Sequence, residues 1–232
     1  MFEHIIIEST ATGSTNWEYL TPLLNRAVFE TLYMVAMTIG IGGVIGLLLG
    51  LVLYSTRPSN LFQNTVVYRV LDFVVNVIRP IPFIIFLTAI RPLTISVIGT
   101  SIGTDAAVFP MVIICSVATS RIVEQNLVGT DPGIIEAARS MGCSRMRTLF
   151  TVLIPEALSP LILGYAFLFV AVTDMSAMAG MIAGGGLGDF AISYGYRQMD
   201  DVVTWVAIAI IIVFVQLVQQ LANFFAKRLL HK

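Results

Sequence analysis

The stretch from Thr31 to Thr56 reads TLYMVAMTIGIGGVIGLLLGLVLYST and carries no charged residue over its 26 positions. A helix that crosses the hydrocarbon core of a bilayer needs about 20 apolar residues, so this stretch is long enough to span it. Val202 to Ala226 is free of charge over 25 residues. These two segments predict membrane-spanning helices and indicate an all-α integral membrane protein.

Three further segments predict spans of less regular composition. Ala157 to Thr173 gives 17 uncharged residues, and Ala106 to Ser120 gives 15. Val66 to Ile90 is strongly apolar but contains Asp72, Arg79 and two prolines. If this segment is counted as a span with polar content, the chain has about five transmembrane helices. The boundaries of this second span are the least well defined, because its polar residues interrupt the apolar pattern.

The overall composition excludes several classes of protein. Of 232 residues, 57% are hydrophobic and 12% are charged, whereas soluble domains carry about 25% charged residues. A mean hydropathy of +0.89 excludes a disordered chain, which needs low hydrophobicity. The net charge of -1 argues against a nucleic-acid-binding protein. The two cysteines, Cys115 and Cys143, have no metal-ligand spacing and predict packing residues, and no metal site is expected.

The distribution of basic residues predicts the orientation in the membrane. Five spans place the termini on opposite sides, and a cytoplasmic C-terminus puts nine Lys and Arg residues inside and three outside. Residues 1–28 then form an extracytoplasmic segment, which lacks the basic start of a signal peptide. The longest cytoplasmic segment covers about residues 121–155. We expect residues 1–232 to form a single transmembrane domain.

That cytoplasmic segment contains DPGIIEAARSMGCSRMR from Asp131 to Arg147. Asp131 followed by Pro132 is typical of a helix start, with an N-cap acid before a proline in the first turn. Gly142 stands where a helix ends in a left-handed conformation, and Ser144 can cap the next helix. The pattern predicts two short helices joined by a tight turn. Such a hairpin suits docking into a groove on a soluble partner.

The same segment resembles a known family motif. Glu136-Ala137-Ala138, then three residues, Gly142, nine residues and Val152-Leu153-Ile154-Pro155 resemble the EAA loop of ABC importer permeases. The resemblance implies a type I importer architecture and a coupling helix that seats on an ATP-binding subunit. The alternative is an ordinary amphipathic loop helix. The residues implied to contact the ATPase are Glu136, Ala137, Ala138, Arg139, Gly142 and Arg145.

Other segments narrow the resemblance to methionine-type permeases. The similar stretches are Arg79–Ile85, Gly99–Gly103, Ser176–Gly180 and Ala183–Gly188, and the likeness extends from Glu30 to the C-terminus. Asp174 departs from the pattern, since the family usually has a small neutral residue there. This departure lies near the implied pathway and leaves the exact substrate open.

The energy source is expected on another chain. A nucleotide-binding P-loop requires Gly-Lys followed by Ser or Thr, and this sequence contains no Gly-Lys dipeptide. The glycines of 184–188 favour close packing or a hinge. ATP and Mg would therefore bind a partner ATPase, with no cofactor on this chain. The resemblance implies a second copy of this chain, two ATP-binding cassette subunits and an extracytoplasmic substrate-binding protein, in the bacterial cytoplasmic membrane.

Several single residues have both a functional and a structural interpretation. Asp72 and Arg79 are seven residues apart and would share a helix face, as a proton relay or as a structural pair. Asp174 would line the pathway and contact a ligand's amino group, or cap the end of a span. Met178 would act as a constriction between small residues, or simply pack. The full set of pathway candidates is Asp174, Ser176, Met178 and Gly180.

These observations favour the membrane subunit of an ABC importer that takes up methionine by alternating access and is not itself an enzyme. One alternative keeps the machinery and changes the cargo to another small amino acid or related solute. Another is an ion-coupled secondary transporter that uses Asp72 and Arg79. A membrane enzyme or an assembly factor is the least supported, because no nucleophile–base set or acidic pair occurs where hydrolysis could be carried out.

Overall fold

The computed structural model describes residues 15–58 and 60–230, and the regular structure of these residues is helical throughout. Wider π-helical turns interrupt or extend several of the helices, at Thr38–Gly43, Thr148–Leu153, Gly180–Gly184 and Ala191–Gly195. In chain order the helices are α1 (Trp17–Thr56), α2 (Thr65–Ile78), α3 (Phe83–Ala89), α4 (Arg91–Ile98), α5 (Thr104–Val128), α6 (Pro132–Ser140), α7 (145–156), α8 (Leu158–Ala179), α9 (Gly186–Phe190) and α10 (Asp201–Leu230).

Four helices in the described residues are long and apolar enough to cross a membrane, namely α1, α5, α8 and α10. They coincide with four of the five predicted spans. The predicted second span is not one straight helix, because α2 and α3 meet at an angle of 102°. Pro80 and Pro82 explain the break, since proline removes a backbone donor and disfavours helical geometry in the residue before it.

The first helix is longer than predicted. It begins at Trp17, where the Asn16 side chain accepts a hydrogen bond from the Tyr19 N–H at 3.2 Å. Its 40 residues extend over about 60 Å, roughly twice the thickness of the hydrocarbon core. Residues 17–28, which belong to the predicted extracytoplasmic segment 1–28, form the start of this helix. Residues 1–14 of that segment lie outside the described residues.

Helix α5 lies at the centre of the fold, and most of its apolar stretch is buried, whereas α10 is mainly exposed. A core cluster joins α5 to α1 and α8. It includes Met34 and Val35 of α1, Met111 and Cys115 of α5, and Leu168 of α8. Cys115 is thus a packing residue, as its isolated position in the sequence predicted.

Glycines along one face of α1 allow its backbone to approach α5 closely. A Cβ atom at Gly42 would lie 2.9 Å from the Val112 carbonyl oxygen, and one at Gly50 would lie 2.7 Å from that of Ser120. The equivalent distance from Gly46 to the Ser116 carbonyl oxygen is 2.6 Å. Because these three glycines are four residues apart, they form one stripe. Small-residue stripes of this kind drive close helix packing in membranes.

We expect Gly46→Ala to destabilise the protein, because its methyl group would overlap Thr119 and force α1 away from α5. Overpacking of this kind typically costs about 1–3 kcal/mol. Gly40→Ala is the matched control, since a Cβ atom there meets no atom within 4 Å. Thermal unfolding in detergent should show a lower unfolding temperature for Gly46→Ala only. Equal unfolding temperatures for the two variants would contradict the packing described here.

Candidate functional site

The helix α6 has the start and the end that its sequence predicted. The Asp131 carboxylate accepts a hydrogen bond from the Gly133 N–H at 2.9 Å, with Pro132 in the first turn. Gly142 has a φ of 81°, and the Cys143 N–H donates to the Ala138 carbonyl at 3.1 Å. This is the hydrogen-bond pattern of a Schellman turn, which requires a left-handed residue that glycine adopts without strain.

The next helix begins directly after this turn. The Ser144 hydroxyl accepts a hydrogen bond from the Arg147 N–H at 3.4 Å, so the predicted cap of α7 is confirmed. Helix α7 passes through the wider turn at Thr148–Leu153 and leads directly into α8. The loop is therefore a helical hairpin connected without a flexible linker to a membrane-spanning helix.

The exposed side of α6 carries most of the residues that sequence analysis singled out. Glu136, Ala137 and Arg139 are exposed, as are Gly142 and Arg145 in the following turn and helix. Ala138 differs, since only 2% of it is exposed. It lies three residues after Ile135, which packs on the apolar cluster of Leu149 and Leu153. Its small size therefore serves packing within this chain, and of the two alanines Ala137 alone is exposed to a partner.

The hairpin also exposes apolar side chains that sequence analysis did not select. Met141, Met146 and Phe150 are 78%, 59% and 55% exposed and follow α6 in the chain. Apolar side chains grouped beside charges mark surfaces that bind other proteins. The sequence does not distinguish these three residues, because apolar residues next to a membrane-spanning helix are as common on its buried side as on its exposed side.

A charge cluster joins α2 to α5 in the half of the molecule nearer α6. Asp72 of α2 pairs with Arg121 of α5, and the same guanidinium pairs with Glu124 and donates to the Asn76 side-chain oxygen at 2.7 Å. Arg57, just after α1, approaches Glu124 at 3.6 Å between Nη1 and Oε1. Glu124 is only 3% exposed, so its charge is balanced by these arginines.

This cluster corrects the predicted pairing of Asp72 with Arg79. Arg79 lies at the end of α2, where the helix breaks, and its side chain is exposed. Within residues 15–58 and 60–230 it forms no ion pair, and Asp72 is already held by Arg121. A relay between Asp72 and Arg79 is therefore not formed. Glu124 was not among the residues predicted from the sequence, although it lies three residues after Arg121 on one helix, a spacing at which side chains can pair.

The glycine-rich segment after α8 is held by the chain's own side chains. The Glu30 carboxylate accepts a hydrogen bond from the Gly186 N–H at 2.8 Å, and the Thr31 hydroxyl accepts one from the Leu187 N–H at 2.8 Å. Gly185 and Gly186 both have positive φ, and a Cβ atom at Gly185 would lie 2.5 Å from the Glu30 carboxylate. The segment is thus a close-packed turn on α1, as its glycines predicted.

The four pathway candidates fall into different environments near the end of α8. Ser176 is buried, and its hydroxyl donates to the Thr173 carbonyl at 2.7 Å. Gly180 is also buried, since a Cβ atom there would lie 2.5 Å from the Asp189 nitrogen. Met178 is half-buried and packs against the core of α1, α5 and α8. Only Asp174 is exposed with a charged side chain, and no described residue forms a hydrogen bond or ion pair with it.

Comparison with known proteins decides the family. Residues 42–231 match the family described as "Binding-protein-dependent transport system inner membrane component". The chain belongs to this family. As a member of the binding-protein-dependent permease family it is a multi-pass protein of the inner membrane and a transport subunit. The resemblance of its helical loop to that of ABC importer permeases is thereby confirmed.

Individual relatives cover nearly the whole chain. The probable D-methionine transport system permease protein MetI of Vibrio cholerae is 38% identical over 210 residues, which are 90% of this chain and 93% of the relative. The protein of the same name from Pasteurella multocida is 36% identical over 216 residues, or 93% and 98% of the two chains. These permeases are therefore similar to this chain along almost its full length.

A solved structure shares the arrangement of helices. A chain of the MetNI methionine ABC transporter in an inward-facing conformation superimposes with a TM-score of 0.88 and is 36% identical. The match covers 91% of this chain and 98% of that chain. The type I importer permease architecture predicted from the sequence is confirmed, whereas the orientation of the termini stays a prediction.

We expect Arg121→Met to be strongly destabilising, because it leaves the buried Glu124 with Arg57 as its nearest cation at 3.6 Å. Breaking a buried ion pair costs about 3 kcal/mol or more, which lowers the unfolding temperature by roughly 6–12 °C in a chain of this size. Arg79→Met is the matched control and should shift it by less than about 2 °C. Thermal unfolding in detergent measures both. A shift of the same size in both variants would exclude a structural role for the charge cluster.

Proposed function

We propose that this chain is the membrane-spanning permease of an ATP-driven importer that takes up methionine or an amino acid close to it. The observation that carries the proposal is the helical hairpin of α6 and α7, in which a side chain caps the start of each helix and charged and apolar side chains are exposed together. A surface of this kind fits a groove on a soluble partner. The methionine in the names of its relatives and of the MetNI transporter supports the cargo.

ATP hydrolysis takes place on separate ATP-binding cassette subunits that hold ATP and Mg. The glycine-rich segment of this chain has no lysine, and the Glu30 carboxylate already accepts a hydrogen bond from the Gly186 N–H. Two copies of the chain, related by a twofold axis, each seat one ATPase subunit. An extracytoplasmic binding protein delivers the amino acid at the face opposite α6.

The proposed mechanism is alternating access. Closure of the ATPase dimer moves the two α6 helices together, with Glu136, Arg139 and Arg145 among the contacting residues. Helix α7 transmits this motion to α8, because only Ala157 separates the two helices. The far end of α8 carries Ser176 and Met178, and Gly180 follows directly, so the same movement reaches the pathway. Packed helices switch between two arrangements rather than bending gradually.

The cargo depends on the residues that face the pathway, and Asp174 is the one that sets this chain apart. It is exposed along an apolar helix, and ionisable residues within membrane spans normally face a water-filled cavity or another subunit. In a twofold assembly its carboxylate would be present twice. This favours ligands with an amino group, and it keeps another small amino acid as the alternative cargo.

The test is uptake of labelled L-methionine into proteoliposomes that contain this chain, its ATPase and its binding protein. We expect ATP-dependent accumulation, with methionine as the strongest competitor among unlabelled amino acids and D-methionine included among them. If another amino acid inhibits ATP-dependent uptake more strongly than methionine does, the chain is still an importer permease, but that amino acid is its cargo. Uptake driven by an ion gradient without ATP would contradict the proposal.

A charge reversal tests whether α6 contacts the ATPase. We expect Glu136→Lys to abolish ATP-driven uptake and to reduce the amount of ATPase that copurifies, because it places a repelling charge on the contact surface. Glu18→Lys is the matched control, since Glu18 is also exposed but lies in the first turn of α1. It should retain both properties. Normal uptake and normal copurification with Glu136→Lys would overturn the docking role of α6.

A further inference from the structure

A cavity of about 550 Å³ lies away from α6, between the α3–α4 region and the start of α5. Gly180–Gly184, the turn that follows α8, forms another of its walls. Cavities of about 300–1,000 Å³ are the usual size of small-molecule sites. The cavity therefore adjoins the pathway candidates and has room for an amino acid.

Three charged side chains of both signs line this cavity. Arg91 belongs to α4, Asp189 to α9 and Arg197 to the turn before α10. Within the described part of the chain, neither arginine comes within 4.0 Å of a carboxylate, and no cation comes within 4.0 Å of Asp189. Opposite charges thus share one cavity without neutralising each other, which leaves space for a ligand between them.

Neutral hydroxyl groups hold two of these charges in place. The Arg91 Nε donates to the Ser101 hydroxyl at 3.2 Å, which leaves its two terminal nitrogens available. The Ser193 hydroxyl donates to one oxygen of Asp189 at 2.9 Å, which leaves the other oxygen available. These two hydrogen bonds hold both side chains at the cavity without engaging all of their polar atoms.

The chemistry of the lining matches a zwitterionic α-amino acid. A guanidinium binds a carboxylate through two parallel charge-assisted hydrogen bonds, and a carboxylate accepts from an ammonium group. The apolar part of the lining, which includes Leu87, Ala107 and Pro110, can accept an uncharged side chain. A purely acidic ligand would leave Asp189 repelled, and a purely cationic one would leave two arginines repelled.

We propose that this cavity is the receiving site for the amino acid, in which Arg91 and Arg197 bind its carboxylate and Asp189 binds its ammonium group. The inference rests on the proposed function, which makes this the face where the binding protein delivers its ligand. The site captures the amino acid before it reaches Met178 and prevents its return to the binding protein. The wall formed by Gly180–Gly184 lets movement of α8 change the shape of the site.

The test compares uptake with ATP hydrolysis in the same proteoliposomes, which contain the complete transporter, saturating binding protein and the amino acid that the wild type transports. We expect Arg91→Gln, Arg197→Gln and Asp189→Asn each to lower the amount transported per ATP hydrolysed by about tenfold, since each loses a charge-assisted hydrogen bond. ATP hydrolysis stimulated by the binding protein should remain as in the wild type. Arg91→Lys should restore part of the coupling, because it keeps the charge.

Asp201→Asn is the matched control, since Asp201 is exposed in the first turn of α10 and is not part of the cavity lining. It should transport as the wild type does. If the arginine variants lose both uptake and the ATP hydrolysis that the binding protein stimulates, the arginines serve docking of the binding protein. That result would overturn the receiving site. Unchanged coupling in all three variants would also overturn it. Failure of the proposed function is recognised separately, because the wild type itself would then show no ATP-driven uptake.

Discussion

The close approach of α1 to α5 is the constraint on which the rest of the fold depends. Gly42, Gly46 and Gly50 remove the side chains that would separate the two backbones, so the helices meet at carbonyl oxygens. In a bilayer the lipid is as apolar as the helices, and close packing has to replace the hydrophobic effect as the attraction between them. Helix α5 is thereby held at the centre. The contact between α1 and α5 therefore positions the core that α5 shares with α8. It also positions the charges of Arg121 and Glu124 on α5.

The second constraint is that charges within the membrane must be balanced. Arg121 gathers Asp72 and Glu124 from two helices and connects α2 to the central helix, so the polar residues of α2 are structural in this chain. The opposite end follows the same principle, because the Glu30 carboxylate is balanced by Arg26 at 2.8 Å and by the Gly186 N–H. Asp174 and the charged residues around the cavity of Arg91 form no ion pair within the described residues, so they remain available to a ligand.

Local signals in the sequence predicted the local structure well. The caps at Asp131 and Ser144 and the left-handed turn at Gly142 involve residues within a few positions of each other, so a pattern along the chain is sufficient. The partner of Asp72 could not be predicted, because Arg121 is 49 residues away and only the fold brings them together. The same holds for the cavity, because Arg91 lies far along the chain from Asp189 and Arg197. The two prolines between α2 and α3 indicate a bend. The high apolar content of the segment nevertheless favoured a single span.

The ion pair between Asp72 and Arg121 also has a consequence for the biosynthesis of the chain. Helix α2 is synthesised before α5, so the carboxylate of Asp72 enters the translocation machinery before its arginine exists. An unpaired carboxylate is costly in hydrocarbon, and α2 is therefore expected to settle only after α5 has been inserted. A nascent chain that ends before Arg121 would keep α1 in the membrane and leave α2 at its surface. The order of insertion would then differ from the order of synthesis.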